Sequence, residues 1–131
     1  MGYNAKIRRQ GTNAVFDIKG VQAKVEKYAG ASLPSFPKAA NTVTVKDDVS
    51  LLHIGRNHWL AHAPLDQEAI LDNALRPTGA PADISIIRIS DTLSFFSVSG
   101  PDADQVMTIA TPLDIHPQVF PDTGATFTEI F

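Results

Sequence analysis

The 131-residue sequence contains no cysteine at all. That excludes disulfides, zinc–thiolate sites and a thiol nucleophile, and it suits a cytoplasmic protein, the expected location. No apolar run approaches the ~20 residues that span a bilayer. The basic residues Lys6, Arg8 and Arg9 are followed by no apolar stretch, so they do not open a signal peptide. Lys6 stands where a myristoylation motif beginning at Gly2 needs Ser or Thr. Basic excess is also missing. With 11 Lys and Arg against 14 Asp and Glu, the net charge is −3 and no basic stripe is present, which argues against nucleic acid or an anionic membrane as partner. The sequence has neither G-x-x-x-x-G-K-[ST] nor G-x-G-x-x-G, and so no familiar nucleotide-binding loop. It has no G-x-S-x-G, so Ser99 before Gly100 reads as a strand end and helix cap, not a nucleophile.

What is present is the composition of a folded chain, 44% hydrophobic and 19% charged. A length of 131 residues suits one domain able to bury about two-thirds of its unfolded surface. Residues 1–14 read as a flexible, exposed arm leading into Val15 and Phe16. Asp17 is a candidate cap for a helix over Ile18–Ala29, weakened by Gly20 and stopped at Gly30. The stretch SLPSFPKAAN is a proline-set loop, and Thr42–Val45 a short strand after it. Val49–Ile54 and His58–Ala63, joined by Gly55-Arg56-Asn57, form a hairpin. A second helix begins at Asp66, with Leu65 and Ile70 spaced as a hydrophobic staple. Ile70, Leu71, Ala74 and Leu75 supply its apolar face, and Pro77 ends it.

Ile84–Ser90 is apolar on both faces, as a central strand would be, and pairs in a second hairpin with Leu93–Ser99 across Asp91-Thr92. Gly100-Pro101-Asp102 starts a third helix, whose apolar face is Ala103, Val106, Met107 and Ala110. The mixed segment TPLDIHPQVF follows, and Ala125–Phe131 alternates like a strand. The expected class is α+β, a mainly antiparallel sheet covered by helices. The last strand would have one unpaired edge, which a partner chain could cover.

Few residues suggest chemistry. His58 and His62 have the spacing of a helical metal pair, but the Glu of H-E-x-x-H is missing and no third ligand is near; His53 and His116 add nothing to them. Asp102 and Asp104 fall in the first turn of a helix, where negative charge is favourable. Asp114, fixed between prolines, fits either a side-chain turn cap or a functional acid, the cap being the simpler account. Trp59 suits a core or an interface better than a stacking platform.

Three stretches carry a family resemblance. Ser99–Ala103 reads S-G-P-D-A, Thr111–Pro117 reads T-P-L-D-I-H-P, and Phe120–Gly124 reads F-P-D-T-G. Together they resemble the gamma subunit of heterotetrameric sarcosine oxidase, whose C-P-L-D-L-H-P-like segment has cysteine where Thr111 stands. Upstream, LLHIGRNHWLAHAP resembles that family's Gly-Pro-x-x-Trp-Leu hairpin, with Gly55, Trp59 and Leu60 kept and Arg56 in place of proline. The family is itself similar to the folate-binding domain of the aminomethyltransferases, so the resemblance implies a shortened, partial form of that fold. In the transferases the acid that positions folate chemistry lies just beyond the strand at which this sequence stops. The resemblance therefore implies a non-catalytic subunit with a structural role in a complex that oxidatively demethylates an N-methyl amino acid. It also implies larger flavoprotein subunits as partners. FAD, FMN, NAD and tetrahydrofolate would be held by those chains, none by this one.

On that reading the stiff segment presents Leu113, Asp114, Ile115, His116 and Phe120, together with Phe131, to a partner, at a reduced ordering cost. The same segment could instead be a rigid loop closing the chain's own core. Three other identities stay open: a folate-dependent transferase, a gamma subunit of an N-methylglutamate dehydrogenase-type complex, and a stand-alone small-molecule-binding module.

Overall fold

Alternation along the strands decides the architecture. In the computed structural model, which describes residues 2–131, a five-stranded antiparallel sheet runs in the order β3-β4-β5-β2-β6. Its strands are β2 (Ala14–Lys19), β3 (Val43–Lys46), β4 (Val49–Gly55), β5 (His58–Ala63) and β6 (Ser85–Arg88). Every second residue of β2 and β5 points to one face: Ala14, Phe16 and Ile18, then Trp59, Ala61 and Ala63, all buried. Helices α1 (Gln22–Ala29) and α2 (Glu68–Leu75) close that face with Val25, Ala29, Leu71 and Leu75. Two further strands, β1 (Lys6–Gln10) and β7 (Phe95–Ser99), form a separate antiparallel ribbon, and α3 (Ala103–Ala110) follows it. The class is α+β, as expected.

The hairpin β4–β5 lies where the sequence places it. The turn is closed with Asn57 at φ 54°, a left-handed value that Asn tolerates. A register shift between His53 and Gly55 lengthens β4 by one residue. Within the N-terminal arm, β1 is ordered in register with β7, from Lys6 opposite Ser99 to Gln10 opposite Phe95. All five of its residues are exposed.

Four expectations need correction. The helix over Ile18–Ala29 begins only at Gln22, because AVFDIK is a strand. Ile18 lies between Trp59 and Ile86 in the ladder, and burial on both sides outweighs its fit to a helical period. Asp17 therefore caps nothing, and Gly20 is the bend between strand and helix. In α2, Asp66 sits in a 3-10 turn before the helix and makes no cap bond. Ile70 and Leu65 are 60% and 49% exposed, so the staple buries neither, and Leu71 with Leu75 anchors the helix instead.

β6 is an edge strand, not a central one, and it does not pair with β7. Ser90 explains this: its buried hydroxyl accepts the Val15 N–H at 2.9 Å, and a 3-10 turn over Ser90–Thr92 takes the chain off the sheet. Finally, Ala125–Phe131 is not a strand. Only Thr123–Ala125 touches the sheet, through Val43 N–H to the Thr123 carbonyl and Ala125 N–H to the Asn41 carbonyl, both 2.9 Å. The tail then turns to α3, where Phe131 N–H donates to the Ala110 carbonyl at 2.8 Å.

Candidate functional site

The S-G-P-D-A stretch works as an anchor. Gly100 takes φ 107°, a left-handed backbone that side chains resist, and a Cβ there would lie 2.9 Å from the Asn4 carbonyl oxygen. The close approach lets Asp102 bind Asn4 twice. Its carboxylate accepts the Asn4 N–H at 2.6 Å, and its own N–H donates to the Asn4 carbonyl at 3.0 Å. The acid expected to favour the helix start is thus spent on holding the lead-in to β1.

The T-P-L-D-I-H-P-Q-V-F segment is a chain of short turns tied by its own side chains. Thr111 is buried; its hydroxyl lies 2.8 Å from that of Thr128 and accepts the Leu113 N–H at 3.3 Å. Asp114 accepts the His116 N–H at 3.0 Å, the side-chain turn cap. His116 Nδ1 accepts the Gln118 N–H at 3.2 Å, and its carbonyl accepts the N–H groups of Val119 and Phe120. In F-P-D-T-G, a Cβ on Gly124 would fall 2.9 Å from the Phe120 ring, so the ring packs over a position that only glycine leaves open.

The structure brings four of the six candidate interface residues together. Leu113, Asp114, Ile115 and His116 line a cleft of about 330 Å³ against Asp104 and Thr108 of α3. Phe120 is half-buried over Gly124, and Phe131 lies at the far end of α3 with 81% of its surface exposed. The same stretch of chain also carries Phe96, Ile109, Val119, Phe127 and Ile130, all largely exposed. Among the described residues, the only buried one from residue 93 onward is Thr111, and every buried apolar side chain lies between Ala14 and Ile86.

The histidines part company. His58 and His62 are on the helix-free face of the sheet, as are Asp17 and Lys19, since these alternate with the core residues. His58 Nε2 is hydrogen-bonded to Asp17 Oδ1. His62 sits in an apolar cleft of about 400 Å³ with Val15, Leu52, Leu60 and Phe95, and burial lowers its pKa from the ordinary 6.5. Among the described residues no group of three His, Cys, Asp or Glu is placed to hold a metal ion. His53 stacks on Trp59 at 5.7 Å, Phe36 meets the same indole edge-on at 5.1 Å, and Trp59 Nε1 has no protein partner. Trp59 is therefore core. The Asp17–His58 pair is hidden in the sequence because Asp17 also fits a helix cap; strand alternation in AVFDIK is the signal that puts Asp17 and Lys19 on one face.

No family model matches the chain, and no curated relative matches it. Among solved structures, it is similar to a chain of the heterotetrameric sarcosine oxidase from Corynebacterium sp. U-96, determined in complex with pyrrole 2-carboxylate. The TM-score is 0.75 at 21% identity, covering 96% of this chain and 65% of that one. The fold is thus the one the resemblance implied. This chain spans about 65% of the length of the chain it matches. Among the described residues no helix is long and apolar enough to cross a membrane.

Proposed function

We propose that this chain is a gamma-type subunit of a heteromeric complex of the sarcosine oxidase kind, with a structural and assembly role and no catalytic one. The observation that carries the reading is the absence of a core beyond residue 93, in a chain that has the fold of a sarcosine oxidase chain. An apolar segment that fully buries only Thr111 and leaves Phe96, Ile109, Val119, Phe127, Ile130 and Phe131 exposed offers surface to another chain. The turns of Thr111–Phe120, pinned by Asp114 and His116, hold that surface in one shape before docking, which lowers the ordering cost.

On this reading FAD, FMN, NAD and tetrahydrofolate belong to the larger flavoprotein subunits, and the N-methyl amino acid is oxidised there. The reading is tested by co-expressing the chain with the large subunits of such an oxidase from the same genome. Co-elution in a fixed ratio is expected. A chain that stays monomeric beside those subunits contradicts it.

A further inference from the structure

We infer that the partner surface docking on residues 93–131 is both apolar and positively charged, and that it seats a lysine or arginine side chain in the cleft between α3 and Leu113–Pro117. This rests on the subunit reading above, which makes the occupant another chain.

The inference starts from how charge is distributed. All 11 Lys and Arg residues lie at or before Arg88. Residues 93–131 carry Asp102, Asp104, Asp114, Asp122 and Glu129, and no Lys or Arg. Of the nine acids before residue 93, three meet cations: Asp17 with Lys19 and His58, Glu68 with Arg88, Asp83 with Lys24. Among the described residues, none of the five later carboxylates has an ion-pair partner within the chain. The same stretch exposes Phe96, Ile109, Val119, Phe127, Ile130 and Phe131, and Glu129 adjoins Ile130 while Asp122 follows Val119 by three residues, so a partner covering those apolar groups meets these acids too. Desolvating an unpaired carboxylate is costly, and a partner without cations would meet that cost uncompensated. A partner with cations turns the same groups into steering charges and register marks.

The cleft itself fits a long cationic side chain. Leu113, Ile115 and Pro117 supply apolar wall for a methylene stem, and Asp104 and Asp114 stand where the charged head would lie. The turn engages one oxygen of Asp114 through the His116 N–H, and the other makes no bond among the described residues. That pattern leaves an acceptor facing a newcomer while its carboxylate is held still. A planar guanidinium, which takes two oxygens at once, is the better fit of the two cations.

The test uses the purified chain and the large subunits of the sarcosine oxidase-type complex as the probe, with association rates measured between about 20 and 500 mM salt. The association rate should fall about tenfold or more over that range. A double variant, Asp104→Lys with Asp114→Asn, should bind about thirtyfold or more weakly. Asp114→Asn keeps an oxygen for the His116 N–H, so the turn survives. Asp48→Lys with Asp66→Asn, the same charge change on exposed sites away from the cleft, should bind like the parent. An intact complex whose association ignores salt, and whose double variant binds normally, overturns the partner chemistry and leaves the subunit reading standing. No complex at any salt overturns both. Salt-sensitive self-association lost in Arg8→Glu with Arg9→Glu assigns the cations to a second copy and overturns the proposal.

Discussion

Residues 14–90 and residues 93–131 are both rich in apolar side chains, yet only the first stretch buries them fully. In the first, β2 and β5 present Phe16, Ile18 and Trp59 to two helices that supply Val25, Leu71 and Leu75 in return. In the second, a two-stranded ribbon, one helix and a run of turns meet the sheet through a partly open cleft where Phe95 lies against His62, and Phe96, Ile109 and Phe127 face outward. A ribbon of two strands is marginal in water on its own. Hydrophobic content therefore does not make a core; two faces that meet do. The second region is held by point attachments instead: Asp102 on Asn4, Thr128 beside Thr111, Phe131 on Ala110.

The comparison can be broken most directly in the core. Leu75→Ala should cost about 2–5 kcal/mol, read as a lower denaturant midpoint, because Leu75 is fully buried between helix and sheet. A smaller loss, about 1–3 kcal/mol and local, is expected for Gly100→Ala, where the new Cβ meets the Asn4 carbonyl and the backbone is left-handed. Its mark would be faster hydrogen exchange at Lys6–Gln10 with the exchange of β2 and β5 unchanged.

His62 should make stability depend on pH in a definite direction. Burial lowers its folded pKa, so the unfolded chain, titrating near 6.5, binds the proton more readily. Its contribution is complete above about 6.5 and is lost as pH falls below that value, levelling off under the folded pKa. His62→Gln should flatten this part of the stability profile between pH 7.5 and 5.5 measured by denaturation, an equal slope in the variant counting against the assignment. The smallest effect is expected for Ile109→Ser or Phe127→Ser. Stability of the isolated chain should shift by no more than about 0.5 kcal/mol, since neither side chain is buried. A loss comparable to that of Leu75→Ala would mean the second region has a core after all.

Much of this was legible in the residues. The β4–β5 hairpin follows from alternation on either side of Gly55-Arg56-Asn57, and α3 from Pro101 and the spacing of Ala103, Val106, Met107 and Ala110. The cap role of Asp114 follows from its place between prolines. Three elements were hidden, each because a distant partner decided it. Ile18 fits both a helical and a strand period until Trp59 and Ile86 flank it. Ile84–Ser90 looks central by composition, but Ser90 takes the Val15 N–H and ends the ladder. Ala125–Phe131 alternates as a strand should, yet beyond Thr126, whose hydroxyl donates to Asn41 Oδ1, its groups turn to Thr111 and Ala110. At the candidate site, the local turns were readable and the joining of α3 to Leu113–Pro117 was not, because it depends on where the helix carries Asp104 and Thr108.

Hydrogen exchange of the chain alone and in complex with the large oxidase subunits tests the central claim most directly. The account predicts slow exchange in β2, β4 and β5 in both states, and fast exchange across residues 111–131 that becomes slow only in the complex. Equal and strong protection of both regions in the isolated chain would contradict it.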